Sequence, residues 1–122
     1  MTSIAALLQP AVLSSAQRPI YQVDEVELRL FQQVSVQDER KTPLFPEGIV
    51  IISNLRLLLI TNASNTVESM SLPLQMVSAI IDPSTFFYRS RRINISLPGG
   101  LCSLKFLSED KDAALSVIRG AL

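Results

Sequence analysis

Apolar and polar residues alternate at period two from Val26 to Phe106, and a helical period replaces this pattern only after Ser108. Val26, Leu28 and Leu30 alternate with Glu27 and Arg29, which predicts a strand with those three apolar side chains on its buried face. A turn-rich stretch follows from Asp38 to Pro43, with a further proline at Pro46. Gly48 opens the run Ile49–Ile52, Ser53–Asn54 interrupts it, and Leu55–Ile60 continues it. Two nearly continuous apolar runs joined by two small polar residues predict a tight hairpin of central strands. Asn62-Ala63-Ser64-Asn65 is loop chemistry. Met70, Leu72 and Leu74 alternate again, with Pro73 marking a strand edge or end, and Val77–Ile81 reads as another short strand. Ile93, Ile95 and Leu97 form one arm of a final hairpin about Pro98-Gly99-Gly100. Cys102, Leu104 and Phe106 form the other, which makes Cys102 a small core residue rather than a reactive thiol.

The last segment changes period. Ser108 is placed to cap a helix whose first turn carries Glu109, Asp110 and Asp112, where carboxylates suit the positive helix end. Ala114, Val117, Ile118, Ala121 and Leu122 fall on one helical face. About seven strands followed by one amphipathic helix predict a mainly β, pleckstrin-homology-like fold, in which two packed sheets form a sandwich or barrel capped by the C-terminal helix. The helix stripe is thereby buried, and sheet edges that invite pairing are covered.

Composition narrows the function. A chain of 122 residues, 48% apolar and 18% charged, suits one domain with an ordinary core. We divide it into a lead segment, residues 1–20, and a domain, residues 21–122. The apolar run Ile4–Leu8 is broken by Gln9-Pro10 and has no preceding cation, so it does not read as a secretory signal. The triplets Asn62-Ala63-Ser64 and Asn94-Ile95-Ser96 therefore read as chance. No stretch reaches the roughly 20 apolar residues of a membrane span. Eleven basic and 11 acidic residues cancel, so any electrostatic recognition comes from a local patch.

With no histidine and a single cysteine, Ser-His-Asp and Cys-His catalysis, histidine zinc ligands and multi-cysteine metal sites are all excluded. Glu25 and Glu27 share a face of an extended strand and read as a solvated edge, not an acid/base pair. The reading is a non-catalytic protein with no metal and no cofactor.

One segment stands out chemically: Phe86-Phe87-Tyr88-Arg89-Ser90-Arg91-Arg92. Three of the chain's 11 basic residues fall in four positions, directly after three of its seven aromatics. Clustered guanidiniums suit phosphate, since each offers a planar fork of donors and keeps its charge. Phe86 and Phe87 either insert at a membrane interface or belong to the core. No extended basic stripe supports nucleic-acid binding. Arg40 and Lys41 make a smaller basic pair in an earlier turn, and Arg56, inside an apolar strand, either faces solvent or pairs with a carboxylate.

At these residues the chain resembles the GLUE domain, a variant pleckstrin-homology domain, of the vacuolar protein-sorting 36 subunit of ESCRT-II. The resemblance rests on Ser14–Ile20 leading into Glu25-Val26-Glu27, on Gly48–Leu57, and above all on Ser84–Ile93. The last segment is similar to the family's Phe-x-x-Arg-Ser-Pro-Arg loop, with Arg91 where the family has proline. The resemblance implies a phosphoinositide-binding module, phosphatidylinositol 3-phosphate being the ligand of some members. Such a module recruits ESCRT-II to endosomal membranes for multivesicular-body sorting of ubiquitinated cargo, and is cytoplasmic and peripheral on the membrane. It implies that Arg89 and Arg92 grip lipid phosphate, that Arg91 adds charge and Lys41 a further cation, and that Phe86 and Phe87 contact the membrane. Other ESCRT-II subunits are expected as partners through the rest of a longer protein. The alternative is a protein-interaction module that binds ubiquitin or an acidic peptide. Pro98-Gly99-Gly100 leaves no space for the zinc-finger insertion of some members.

Overall fold

The computed structural model describes residues 9–10, 21–63 and 66–122. Its strands are β1 (Gln9–Pro10), β2 (Glu27–Asp38), β3 (Pro43–Ser53), β4 (Arg56–Ala63), β5 (Thr66–Pro73), β6 (Ala79–Ile81), β7 (Arg92–Leu97) and β8 (Gly100–Lys105). A short 3-10 turn spans Leu74–Met76, and the α-helix among the described residues, α1, is Lys111–Ala121. The expected lead segment, apart from Gln9–Pro10, and residues 64–65 lie outside the described residues.

All pairings are antiparallel, in the order β1-β5-β4-β3-β2-β8-β7-β6. β2 joins the two halves. Leu30 and Phe31 pair with Ile51 and Val50 of β3, while Ser35–Asp38 pair with Lys105–Cys102 of β8. The register of β2 against β3 slips between Phe31 and Val34, where Gln33 adopts φ 56°. Such bulges bend a strand and sharpen its twist, so one strand serves both halves of the curved sheet. The mainly β, pleckstrin-homology-like fold with a capping helix is therefore present.

The core lies inside this curl. Val50, Ile52, Leu57, Leu59 and Leu72 come from one half, Ile93, Ile95, Cys102 and Leu104 from the other. α1 closes it with Ala114, Leu115 and Ile118. Phe31 and Phe106 meet edge to face at 5.5 Å between ring centres, a favoured arrangement of their opposed quadrupoles. Ile51, Leu58 and Ile60 form a smaller buried cluster on the alternate positions of β3 and β4. Burial of each such side chain contributes on the order of 2 kcal/mol. Cys102 is fully buried, and desolvation followed by the charge of Asp38 pushes its thiol up to about 12.

Several local expectations are corrected. Val26, Leu28 and Leu30 are exposed, and the buried residues of β2 are Phe31, Val34 and Val36. Four register shifts against β3, among them those at Leu28 and around Gln33, change the phase of the strand, and a one-residue shift exchanges its faces. The turn between β2 and β3 is short, because Pro43 already pairs with Gln37 and β3 runs from there. Asp110, not Ser108, occupies the N-cap position of α1, and neither supplies a side-chain cap. Leu115 joins the buried helix face, whereas Leu122 is exposed. Glu25 is no solvated edge: it is buried and paired with Arg56. Only the paired alternative for Arg56 survives.

Candidate functional site

The segment between β6 and β7 is a structured loop. Thr85 and Tyr88 exchange backbone hydrogen bonds, N–H of Thr85 to the Tyr88 carbonyl at 2.7 Å and the reverse at 3.3 Å. That tight turn leaves Phe86 and Phe87 at its tip, 95% and 92% exposed, packed edge to face on each other at 5.0 Å. They are not core residues. Two large aromatics held almost wholly in water are an anomaly that folding does not reward, which makes them candidates for a contact.

The basic residues part company behind this tip. Arg92 opens β7 and is half-buried; its backbone N–H donates to Ser90 Oγ at 3.1 Å and its Nη1 makes a long 3.4 Å contact to Ser103 Oγ. Lys41 stands across from it in the β2–β3 turn with φ 65°, the left-handed region that non-glycine residues rarely adopt. Asp38 fixes this turn: its carboxylate accepts the N–H groups of Arg40 and Thr42, each at 2.9 Å. Lys41 and Arg92 line one shallow depression of about 310 Å³, together with Tyr88, Ser90, Asn94 and Ser103. Gln37, Asp38 and Glu39 complete its rim on the turn side. Its two cations, hydroxyls and amides offer donors to one phosphate-sized anion, against the carboxylates of Asp38 and Glu39 on the same rim, the first of which is engaged by the turn's own N–H groups.

Arg89 and Arg91 do not line it. Arg89 is exposed and donates to Asp112 Oδ2 at 2.7 Å, so the first turn of α1 already holds its guanidinium. Arg91 is exposed, and its carbonyl accepts the N–H of Phe106. Of the expected four cations, the fold brings Lys41 and Arg92 together and leaves Arg89 and Arg91 on the outside.

Sequence reasoning missed three residues at the root of the loop. Lys111, in the first turn of α1, is buried and its Nζ donates to Asp82 Oδ1 and Ser84 Oγ. Hydrogen bonds from Lys111 and from the Ser84 N–H hold the Asp82 carboxyl far below the usual carboxylate range. A lysine at a helix start, against the dipole, was the available signal.

A larger cleft of about 1050 Å³ lies at the other end of the domain, lined by Tyr21, Leu55, Arg56, Leu74, Val77 and Ala121 among others. Its guanidinium is committed to Glu25, so it offers an anion little. No group of metal-binding side chains occurs among the described residues, and no described helix is long and apolar enough to cross a membrane.

A bent antiparallel sheet closed by a C-terminal helix, with a polar, charged depression and an aromatic loop beside it, defines a pleckstrin-homology-like domain. The sequence model for vacuolar protein sorting protein 36 (Vps36) of ESCRT-II matches residues 12–99, and the chain belongs to this family, as its GLUE domain. Among solved structures, the Vps36 N-terminal PH domain superposes with a TM-score of 0.80 at 20% identity, over 94% of this chain and 92% of that one. The C-terminal domain of an unknown protein from Leishmania infantum superposes at 0.59 and 18% identity, over 80% and 84%. At these identities the likenesses speak for the fold. No curated protein matches the chain in sequence.

Proposed function

We propose that this ESCRT-II family domain is a non-catalytic module that docks on a phosphoinositide-bearing membrane and so brings ESCRT-II to endosomes. The observation that carries this reading is the convergence of Lys41 and Arg92 on one depression, with Tyr88 in its lining and the exposed Phe86–Phe87 tip on the same loop. The depression takes the lipid's phosphate and the tip enters the bilayer interface. Arg89 and Arg91 contribute diffuse attraction, roughly 1 kcal/mol each near an anionic surface and weakened by salt. Binding of this kind is weak for one domain and gains strength by avidity in a complex. Co-sedimentation with phosphatidylcholine vesicles, with and without phosphatidylinositol 3-phosphate, tests it. Binding only to the charged vesicles supports the reading; equal binding to both, or to neither, removes it.

A second reading has its own observation. Val26, Leu28 and Leu30 stand 60%, 45% and 41% exposed just before and along the start of β2, apolar surface remote in sequence from the basic loop. Exposed apolar side chains of this kind fit the apolar surface of ubiquitin and support a protein-interaction role compatible with lipid binding. Titration of labelled ubiquitin should give saturable shifts at these residues. Their absence at millimolar ubiquitin defeats this reading.

A further inference from the structure

Lys111 is placed against ordinary helix electrostatics. It is the first residue of α1, where the positive end of the peptide dipoles disfavours a cation, and its side chain is only 4% exposed. A buried ammonium persists where its donors are matched. Here Nζ donates to Asp82 Oδ1 at 2.5 Å and to Ser84 Oγ at 3.1 Å. The same two acceptors organise the loop itself: Asp82 Oδ1 accepts the Ser84 N–H and Ser84 Oγ accepts the Ser90 N–H, each at 2.9 Å. Ser84 precedes the tip and Ser90 follows it, so one ammonium group fastens both limbs. The adjacent Asp112 takes Arg89 from the returning limb.

We propose that Lys111 is a positioning residue whose clasp on Asp82 and Ser84 holds the Phe86–Phe87 tip erect as a preformed apolar probe for a bilayer. The choice of bilayer as partner rests on the membrane reading above; the clasp rests on the geometry alone. An unclasped loop carrying two phenylalanines lowers its free energy by folding them onto the domain surface. Membrane entry then requires re-ordering the loop, and preorganisation removes that cost. The clasp acts first on the tip and reaches the Lys41–Arg92 depression only through Ser90 and Tyr88 in its lining.

The test compares the wild type with Lys111→Met, which fills the volume without the charge. Ser84→Ala serves as a second variant that cuts one limb and leaves Lys111 its carboxylate. Three quantities are read: amide hydrogen exchange at Ser90, affinity for phosphatidylinositol 3-phosphate vesicles, and affinity for soluble inositol 1,3-bisphosphate. Exchange at Ser90 is expected to rise in both variants, and vesicle affinity to fall about three- to tenfold, while affinity for the soluble headgroup, which meets the clasp only through Ser90 and Tyr88, falls less than about twofold. In a Phe86→Ser/Phe87→Ser background, Lys111→Met should weaken vesicle binding less than about twofold further, since the clasp has no tip left to present. Unchanged Ser90 exchange in Ser84→Ala overturns the clasp. A fall in soluble-headgroup affinity as large as that for vesicles overturns its action through the tip, as does a larger further loss in the phenylalanine-free background. Wild type that binds no vesicle overturns the membrane reading, and Ser90 exchange then decides the clasp by itself.

Discussion

Two ion pairs of nearly the same chemistry sit near opposite ends of α1, and they hold very different things. Near the helix C-terminus, Glu25 accepts a two-pronged grip from Arg56, Nε at 2.8 Å and Nη2 at 2.9 Å, and hydrogen bonds from Ser53 Oγ and the Gln22 N–H. Ser53 Oγ in turn accepts the N–H groups of Leu55 and Arg56. This network fastens the entry to β2 onto the β3–β4 turn, so the domain is closed upon itself. Near the helix N-terminus, Lys111, Asp82 and Ser84 fasten a loop whose tip faces water. A carboxylate, a cation and a serine make a stability element in one place and a presentation device in the other. What the clasp holds, not the clasp itself, separates the two.

Acid weakens both and should give the largest effect. Burial alone would raise the Glu25 pKa, but the hydrogen bonds from Arg56, Ser53 and the Gln22 N–H outweigh it and lower the value. Asp82 is lowered by Lys111 and Ser84. Both folded pKa values lie below the ordinary 4.5 and 3.8, so the stability they supply is complete above that range and lost as pH falls through the folded values. Thermal stability should therefore hold from neutrality down to about pH 5 and decline progressively below about pH 4, as pH falls toward the folded values. A melting temperature that declines steadily between pH 7 and pH 5 contradicts this.

Arg56→Ala separates the two networks. It leaves the fully buried Glu25 side chain without its cation, a change that commonly costs about 3 kcal/mol and here a melting temperature drop above 10 °C or so. Vesicle and headgroup affinity, measured below the lowered melting point, should stay as in the wild type. A selective loss of lipid binding would join the two ends functionally and erase the contrast drawn above.

The smaller step concerns which arginine meets phosphate. Arg92 is half-buried against Ser103 and lines the depression, whereas Arg89 is exposed and held by Asp112. Arg92→Ala should weaken phosphoinositide binding more than tenfold, above about 1.4 kcal/mol. Arg89→Ala removes an exposed pair and a diffuse charge, and should cost a few-fold in affinity and less than about 1 kcal/mol in stability. Equal losses in paired vesicle titrations would make the site an unstructured basic patch.

Local signals carried the fold. The apolar runs of β3 and β4, the hairpin about Pro98-Gly99-Gly100 and the helix period each report contacts within a few residues, and all appear where the alternation puts them. The failures are non-local or lie at bulges. Glu25 and Arg56 are 31 positions apart, so nothing nearby in sequence marks their pairing. Lys111 and Asp82 are separated by 29. The basic loop was legible as chemistry, but which cation faces Lys41 depends on Asp112 lying beside Arg89, a packing fact of α1. In β2, Gln32-Gln33 interrupts the apolar series where the register slips, and that polar pair was the readable sign of a phase change.

The smallest effect tests this phase directly. Leu30 pairs with Ile51, on the side of the sheet away from Phe31 and the main core, and remains 41% exposed. Had Val26, Leu28 and Leu30 formed the buried face, Leu30→Ser would forfeit the full burial of a leucine, about 1.5–3 kcal/mol before any cavity cost. With the bulged register, the substitution should change stability by less than about 1 kcal/mol, close to the range for surface positions. Urea unfolding with an unchanged m-value is the measurement, since a register slip would alter the surface exposed on unfolding. A loss above 2 kcal/mol would return Leu30 to the core and undo the phase shift at Gln33. If the loss is small, the same variant is sound material for the ubiquitin titration, where weakened shifts can be assigned to the missing apolar contact because the fold is intact.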